Sequence, residues 1–349
     1  MKLQELFINR DMQIKDALKR LDETAKKILI VVENNKLVGV ITDGDIRRWI
    51  LKNGDFKEAV DIIMAKNPKY IYIEDAKNAK KILKKYSIEA IPVVNENHEV
   101  MDIIFWNDNF NKKLNHTKLN NPVVIMAGGA GTRLKPYTNV LPKPLIPIGD
   151  IPIVERIINR FAEYGCDNFY MTVNHKKNMI KAYFNEIEKN YTLNYIDEEK
   201  PLGTAGSLFF LKDEIKDTFF LSNCDILIEG NYSDMLRYHK EHKAKITLIT
   251  SLKHYTIPYG VIQINGDSNV KKMEEKPEYD FLVNTGMYIL EPEVINDIPE
   301  GRYFHITELI NTYINKGDKI GVYPISEGSW LDMGQFKEME IMLERLGIN

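Results

Sequence analysis

The sequence has little cysteine and no long apolar run, and both shortages narrow the class of protein it can be. Cys166 and Cys224 are the only cysteines in 349 residues, so there is no disulfide framework, no C-x-x-C pair and no zinc pattern. No stretch approaches the roughly 18 apolar residues of a membrane span, and the first residues lack the apolar core of a signal peptide. We therefore expect a cytoplasmic protein with no membrane partner.

An excess of basic charge is also missing. The chain has 47 basic and 50 acidic residues and a net charge of −3, so it lacks the positive footprint with which nucleic-acid-binding proteins neutralise phosphates. Nucleic acid is not expected as a partner. A hydrophobic fraction of 44% and a charged fraction of 28% are ordinary for a soluble protein. The length predicts two domains.

What the sequence does contain is a run of glycines at residues 127–131, directly after an apolar strand expected at Val123–Met126. Glycine has no Cβ, so such a run suits a backbone that must approach a ligand closely. Its successive N–H groups can cradle an anion. Two cations follow, because Arg133 offers a rigid five-donor fork and Lys143 a mobile point charge. Together these features predict a triphosphate site.

Two commoner glycine loops do not fit this run. A P-loop needs a lysine directly after its last glycine, and a dinucleotide fingerprint needs a glycine where Leu134 stands. The observed order, G-G-x-G-T-R-L followed by P-K-P, resembles the signature of the sugar nucleotidyltransferases, which join a sugar 1-phosphate to a nucleoside triphosphate. The resemblance implies catalytic roles for Arg133 and Lys143. It implies nucleotide binding by Ala127, Gly128, Gly129, Gly131 and Thr132.

From residue 123 onward the apolar pattern alternates between strand and helix. Strands are predicted at 123–126, 168–173, 192–196, 218–222 and 245–250. Helices are predicted at 151–164, 176–188, 204–211 and 233–242. The alternation indicates an α/β fold with a mostly parallel, doubly wound, Rossmann-like sheet, whose ligand crevice lies beyond the carboxyl ends of the strands.

The loop after the third strand carries the residue expected to read the nucleobase. In the family a residue five positions before a glycine does this, and here these are Glu198 and Gly203, with Thr204 next to them. A carboxylate can accept the two adjacent donors of guanine, whereas uracil or thymine suits an amide. Glu198 therefore favours GTP. The alternative is that Glu198 is a solvated surface acid in a run with Glu199 and Lys200, with the alignment shifted by one residue.

Two acids from distant segments are expected to hold Mg²⁺. Asp225 follows the strand at 218–222, and Asp332 lies in a segment that resembles the family's W-x-D-x-G. One or two carboxylates together with phosphate oxygens are the usual magnesium ligands at a triphosphate.

Between these two acids lie segments that resemble the family's Y-G, E-K-P and T-G-x-Y motifs. The resemblance implies that this part of the chain binds the sugar phosphate. Gly260 permits close approach of the backbone, Glu275 can accept from sugar hydroxyls, and Lys276 can pair with the phosphate. Asn284 and Thr285 can bind the sugar ring.

The first 116 residues precede this sheet and contain a repeat. A unit of helix, strand, turn and strand occurs at residues 16–41 and again at 78–104, so that Val31 corresponds to Val93. We predict one repeat at 1–57, a second, degenerate repeat at 58–116, a linker at 117–121 and the nucleotidyltransferase domain at 122–349.

The first repeat ends in LVGVITDGDIRR, which resembles the end of a CBS domain, a small α/β module that pairs into nucleotide-sensing units. The resemblance implies a tandem CBS pair in which Thr42 and Asp45 can hold a ribose. The second repeat has Phe105 and Asp108 at these two places, so we expect at most one ligand site. The pair either senses a nucleotide effector or only mediates self-association, and a homo-oligomer is expected in both cases.

The combined pattern predicts Mg²⁺-dependent transfer from GTP to a sugar 1-phosphate. A CBS pair ahead of such a domain resembles the glucosamine-1-phosphate guanylyltransferases of nonulosonic (legionaminic) acid biosynthesis, which implies glucosamine 1-phosphate as the acceptor. Mannose 1-phosphate is the alternative. An alternative of another class is a non-catalytic, nucleotide-sensing regulatory subunit.

Overall fold

The computed structural model describes residues 3–24, 26–86, 88–105, 118–266 and 268–348, and every structural statement below concerns these residues. Asp108 and the first residue of the predicted linker 117–121 lie outside them. The chain divides into two compact units, Met1–Leu114 and Asn115–Asn349.

The first unit repeats one small α/β motif. Its strands are β1 (Phe7–Ile8), β2 (Ile28–Glu33), β3 (Lys36–Thr42), β4 (Ile71–Tyr72), β5 (Ala90–Val94) and β6 (Val100–Phe105). Its helices are α1 (Ile14–Thr24), α2 (Asp43–Leu51) and α3 (Ala79–Tyr86). In both copies a short strand runs parallel to a central strand, which pairs antiparallel with the next, giving the sheets β1-β2-β3 and β4-β5-β6.

An irregularity of the backbone marks the repeat. The register of β2 with β3 shifts between Val31 and Val32, and that of β5 with β6 shifts between Val93 and Val94. These are the positions that the sequence pattern aligns. The two halves of the first unit therefore share the same strand pairing, as the predicted repeat requires.

The second unit contains one large sheet and several short strands outside it. Its strands are β7 (Val123–Ala127), β8 (Pro147–Ile148), β9 (Ile151–Pro152), β10 (Asn168–Val173), β11 (Thr192–Asp197), β12 (Phe219–Asn223), β13 (Ile226–Ile228), β14 (Ile246–Thr256), β15 (Val261–Ile264), β16 (Val270–Glu274), β17 (Glu278–Leu290), β18 (Ile320–Ile325) and β19 (Trp330–Asp332). Its α-helices are α4 (Tyr137–Val140), α5 (Ile153–Glu163), α6 (Lys177–Glu186), α7 (Tyr232–His242), α8 (Ile306–Lys316) and α9 (Phe336–Arg345).

The seven strands of the large sheet follow the order β11-β10-β7-β12-β17-β14-β18. Every neighbouring pair is parallel except those of β17, which runs against both β12 and β14. The predicted mostly parallel α/β sheet is confirmed. β14 continues well beyond the predicted end at residue 250, because its second half pairs with β17.

The predicted helix at 204–211 is wrong in type, since Gly206–Leu211 form a 3₁₀ helix. The N–H groups of Ala205 and Gly206 both donate to the carbonyl of Phe304. These bonds attach the segment to the residues before α8. The N–H of Leu208 donates to the carbonyl of Ala205 at 3.0 Å, three residues earlier, which is the bonding pattern of a 3₁₀ helix.

Apolar side chains cover both faces of the sheet. Along β7, Val123 and Ile125 belong to one buried cluster, together with Phe161 of α5. Val124 points the other way, into a cluster with Leu309 of α8. This alternation is that of a strand buried on both faces and explains the continuous apolar run in the sequence. Within the described part of the chain, no helix combines the length and apolar content needed to cross a bilayer.

A polar network is buried at the opposite end of the sheet from the glycine turn. The ring of His239 is fully buried, with Nδ1 2.7 Å from Thr247 Oγ1 and Nε2 3.0 Å from Glu291 Oε1. Burial lowers the pKa of His239, and Glu291 only partly opposes this. Burial alone would raise the pKa of Glu291, but hydrogen bonds from Lys240 and Thr218 lower it below its ordinary value.

We predict that the second unit loses stability as the pH falls below about 6.5, the ordinary pKa of histidine. Both pKa values are lower in the folded state, so the unfolded chain binds more protons and stability is lost as pH falls through the folded pKa values. His239→Gln should flatten the dependence of the melting temperature on pH between 7.5 and 5.5. His242→Gln, on the same helix, should keep the wild-type slope, and equal slopes in the wild type and His239→Gln would contradict this assignment.

Candidate active site

The glycine turn that follows β7 brings two distant parts of the chain together. Gly131 has a φ of 64°, and a Cβ at this residue would lie 2.9 Å from both Lys143 Cβ and Thr138 Cγ2. The hydroxyl of Thr138 donates to the carbonyl of Gly131 at 2.9 Å. Only glycine therefore allows residue 131 to pack directly beside Lys143. Gly129, by contrast, has no atom within 4 Å of its Cβ position.

The other residues of the turn differ in exposure. Ala127 is buried at the end of β7, and its N–H donates to Thr172 Oγ1 at 3.3 Å. Thr132 and Arg133 are exposed. Arg133 forms no hydrogen bond or ion pair with another described residue, so its five donors are available to a ligand.

Lys143 forms an ion pair with Asp225, and both side chains are more than four-fifths buried. Burial by itself would lower the pKa of Lys143, but the charge of Asp225, with smaller contributions from Cys224 and Asp332, raises it above its ordinary value. The lysine is therefore held charged beside the glycine turn.

Asp332 lies next to Asp225 because β13 and β19 pair antiparallel. Residue 226 is opposite residue 332 in this pair, and the N–H of Met333 donates to the carbonyl of Asp225 at 2.8 Å. Burial and the charge of Asp225 raise the pKa of Asp332, while the N–H of Gly334 and Lys143 oppose the shift. The two acids predicted as metal ligands thus come together from segments more than 100 residues apart.

This pair of carboxylates fits a magnesium site that is completed by substrate. Mg²⁺ at triphosphates is usually held by one or two carboxylates, with phosphate oxygens and water as the other ligands. Among the described residues, no group of three or more His, Cys, Asp or Glu side chains is placed to hold a metal ion. The chain alone therefore supplies part of a coordination shell.

Glu198 lies directly after β11, and its carboxylate is buried against the glycine turn. Its residue exposure is 5%, and a Cβ at Gly128 would lie 2.9–3.0 Å from both carboxylate oxygens. Ser207 donates its hydroxyl to Glu198 Oε1. The alternative of a solvated surface acid at Glu198 is wrong, whereas the neighbouring Glu199 is exposed.

The loop after Glu198 is attached to the start of α8. Gly203 has a φ of 81°, and a Cβ there would lie 2.6 Å from the carbonyl oxygen of Phe304. The hydroxyl of Thr204 accepts from the N–H of Ile306 at 3.0 Å and lies 3.2 Å from His305 Nδ1. Both residues hold the loop in place, and their predicted nucleotide contacts stay predictions.

Asn284 and Thr285 lie where the register of β17 with β14 shifts. Thr285 is buried and donates its hydroxyl to the carbonyl of Ile249 at 2.7 Å, while Asn284 donates to the phenol oxygen of Tyr288. The hydroxyl of Thr285 therefore already supports the sheet. The assignment of both residues to the sugar ring stays a prediction.

Gly260, Glu275 and Lys276 lie at the base of the β15–β16 hairpin. A Cβ at Gly260 would lie 3.0 Å from Glu275 Oε2, so the Y-G and E-K-P segments meet. Glu275 and Lys276 are exposed, and neither side chain pairs with another described residue. No described contact joins them to Lys143 or Asp225.

Sequence reasoning missed Asn223 and Ser207. The side-chain amide of Asn223 packs directly against Gly286, so it touches the segment predicted to bind the sugar. Ser207 holds the carboxylate of Glu198. Asn223 directly follows the strand predicted at 218–222 and lies two residues before Asp225, and that position was an available signal for it. Ser207 carried no comparable signal, because its partner is known only from the fold.

In the first unit, Thr42 and Asp45 are joined to each other by hydrogen bonds. The N–H and hydroxyl of Thr42 both donate to Asp45 Oδ2, at 2.9 and 2.6 Å, which caps the N-terminus of α2. Asp45 also pairs with Arg48. The two residues therefore have a structural role, and their predicted contact with a ribose stays a prediction.

Comparison with known families agrees with these observations. A family model named Nucleotidyl transferase matches residues 122–344, which is well over half of the chain, and the chain therefore belongs to this family. A model of the CBS domain matches residues 1–52. The nucleotidyltransferase and CBS resemblances predicted from the sequence are confirmed.

The second unit is also similar to individual curated proteins. The mannose-1-phosphate guanyltransferase of Schizosaccharomyces pombe is 32% identical over 225 residues, which cover 62% of this chain and 61% of that protein. The UTP–glucose-1-phosphate uridylyltransferase of Synechocystis sp. is 30% identical over 237 residues, which cover 61% of this chain and 60% of that protein. The chain thus spans about three fifths of the length of these relatives.

A solved structure supports the fold. HddC from Yersinia pseudotuberculosis aligns over 65% of this chain and 99% of that one, with a TM-score of 0.51 and 23% sequence identity.

The two glycines of the turn should respond differently to an added methyl group. Gly131→Ala should lower the free energy of unfolding by about 1–3 kcal/mol, because it combines a positive φ with contacts too close to Lys143 and Thr138. Gly129→Ala should change it by less than about 0.5 kcal/mol, since its Cβ points into open space. Chemical denaturation of the full chain measures both, and equal losses would refute the described packing of Gly131.

Proposed function

We propose that this chain transfers a nucleotidyl group from GTP to a sugar 1-phosphate and releases pyrophosphate. The observation that carries the proposal is the cluster of Gly131, Lys143, Asp225 and Asp332. It lies beyond the carboxyl ends of β7 and β12, where α/β sheets bind ligands. A glycine turn, a buried cation and two adjacent acids are the groups that a magnesium triphosphate requires.

The proposed reaction is an in-line displacement at phosphorus. An oxygen of the sugar phosphate forms a bond to the α-phosphorus as the bond from that phosphorus to the oxygen bridging to the β-phosphate breaks. Pyrophosphate leaves with the electron pair of the broken bond. No general base is needed, because a sugar phosphate is already ionised, so catalysis depends on positioning and on charge stabilisation.

Three cations of the chain serve this reaction. Arg133 has no partner among the described residues, so its five-donor fork can bind phosphate oxygens of the triphosphate. Lys143 has three donors and can keep its bond to Asp225 while it binds a phosphate oxygen. Lys276, exposed at the base of the β15–β16 hairpin, pairs with the sugar phosphate and directs its oxygen towards the α-phosphorus.

Mg²⁺ would be held by Asp225 and Asp332, and it supplies positive charge that neutralises the triphosphate when bound. The fit rests on the two neighbouring carboxylates, because burial and then the charge of Asp225 raise the pKa of Asp332. Two such acids are stabilised by a divalent cation, since a single lysine cannot balance both charges.

Glu198 supports GTP as the donor. The carboxylate of Glu198 has about four acceptor positions, and Ser207 occupies one of them. Acceptors therefore remain for the N1–H and N2–H₂ groups of guanine. The S. pombe relative is itself a guanyltransferase by name, which agrees with this choice.

Glucosamine 1-phosphate is the acceptor that we propose. Its charged amine needs an acid, and Glu275, exposed and unpaired among the described residues, lies beside Gly260. Mannose 1-phosphate is the alternative, and the name of the S. pombe relative favours it. A non-catalytic sensing subunit is disfavoured by the complete cluster around Asp225, since sensing a nucleotide does not need two acids beside a lysine.

Pyrophosphate release by the full chain tests the proposal. We expect turnover with GTP and Mg²⁺ and loss of turnover with a chelator. The highest kcat/KM among glucosamine, mannose and glucose 1-phosphates identifies the acceptor. Asp225→Asn and Asp332→Asn should each lower kcat about 100-fold or more. Asp213→Asn, whose side chain is 98% exposed, is the matched control and should retain wild-type turnover. A wild-type chain that releases no pyrophosphate with any of these pairs would leave only the sensing alternative.

Glu198→Gln tests the choice of nucleobase. An amide offers one donor and one acceptor, so the ratio of kcat/KM for GTP to that for UTP should fall about tenfold or more. Glu199→Gln changes the neighbouring, exposed acid and should keep the wild-type ratio. If Glu199→Gln moves the ratio and Glu198→Gln does not, the assignment of the base-reading residue is wrong by one position.

A further inference from the structure

Lys176 makes an unusual set of contacts close to the glycine turn. It lies in the loop between β10 and α6, and its Nζ is 3.1 Å from the carbonyl oxygen of Thr138, 2.7 Å from that of Asn139 and 2.9 Å from that of Val140. These are three successive carbonyls of α4. The lysine therefore spends all three of its donors on one short backbone segment.

The carbonyls that Lys176 binds have few other partners. They belong to a helix of a single turn, whose last carbonyls have no partners within the helix. Apolar packing of this turn is limited, since Val140 is 70% exposed and Tyr137, whose ring lies 5.6 Å from that of Phe336, is 52% exposed. Lys176 is thus a main support of the segment.

The same turn connects the two parts of the proposed triphosphate site. Thr138 is buried, donates to the carbonyl of Gly131 and packs its methyl group against that residue. Three residues after α4 the chain reaches Lys143, whose Cβ lies beside Gly131. A shift of the turn would therefore move both the glycine backbone and the catalytic ammonium.

The backbone conformation of Lys176 disfavours lysine, which indicates that the lysine side chain has a role at this position. Its φ is 53°, in the left-handed region, where glycine is favoured and lysine is strained. A glycine would suit the backbone better but could not reach α4.

We propose that Lys176 is a positioning residue that fixes the segment 131–143 and so sets the distance between the glycine turn and Lys143. Lys176 contacts neither substrate in this role and acts only through α4. The kinetic part of the inference rests on the proposed function, whereas the structural part does not.

Hydrogen exchange of the full chain tests the structural part. The amides of Asn139 and Leu141 donate to Pro136 and Tyr137, at 2.9 and 3.0 Å, and report on the turn. In Lys176→Met both amides should exchange about tenfold faster or more, while amides of β10 keep their protection. Lys177→Met is the matched control, because Lys177 is the next residue and faces Asp197 at 3.6 Å, and it should exchange like the wild type. Unchanged exchange at both amides in Lys176→Met would overturn the inference.

Steady-state kinetics tests the positioning part. In Lys176→Met, kcat/KM for the triphosphate should fall about tenfold or more through a higher KM, while KM for the sugar 1-phosphate stays within about twofold. Loss of folded protein alone would lower kcat and leave both KM values unchanged. Lys176→Arg, which keeps a cation with several donors, should recover most of the loss. Lys176→Gly relieves the backbone strain and should still show the raised KM.

The outcomes separate the two proposals. A wild-type chain without turnover contradicts the proposed function, and hydrogen exchange still decides whether Lys176 holds α4. A wild-type chain with turnover, together with wild-type KM values in Lys176→Met and Lys176→Gly, overturns the positioning role alone.

Discussion

The ion pair of Lys143 with Asp225 is the interaction on which the candidate site depends. It joins residues 82 positions apart in a mostly buried place, where an unpaired charge would be costly. The pairing of β13 with β19 adds the carboxylate of Asp332, so two acids share one lysine. Burial and the charge of Asp225 together raise the pKa of Asp332. The excess of negative charge in this cluster is the reason for which we propose a divalent cation there.

Three glycines, which have no side chain, are as important to the packing of this site as the charged residues are. Gly128 leaves room for the carboxylate of Glu198, Gly131 for Lys143, and Gly203 for the backbone of Phe304. In each case the glycine lets a segment from elsewhere in the chain approach within a distance that a Cβ would forbid. The glycine-rich turn thus also sets where the side chains of Glu198 and Lys143 lie.

The two units differ in what their sequence motifs form in the structure. In the first unit the repeat preserves the strands and the backbone irregularity, while Thr42 and Asp45 form a helix cap. In the second unit the glycine turn, Glu198 and Asp225 follow strands, whereas Asn284, Thr285 and Asp332 lie within strands. A repeated sequence pattern can therefore keep the same strand pairing, whereas the chemistry depends on which segments the fold brings together.

The sequence by itself determined the elements and the class of chemistry. The alternation of apolar runs predicted the parallel sheet, and the glycine run with Arg133, Lys143, Asp225 and Asp332 predicted a triphosphate site, because periodicity and residue type are local properties. Only the tertiary structure decided that Asp332 lies beside Asp225, that Glu198 is buried rather than solvated, and that residues 206–211 form a 3₁₀ helix. The first two depend on partners that only the fold brings near, namely β19 for Asp225 and Gly128 for Glu198. No local pattern in the sequence records which distant groups will meet.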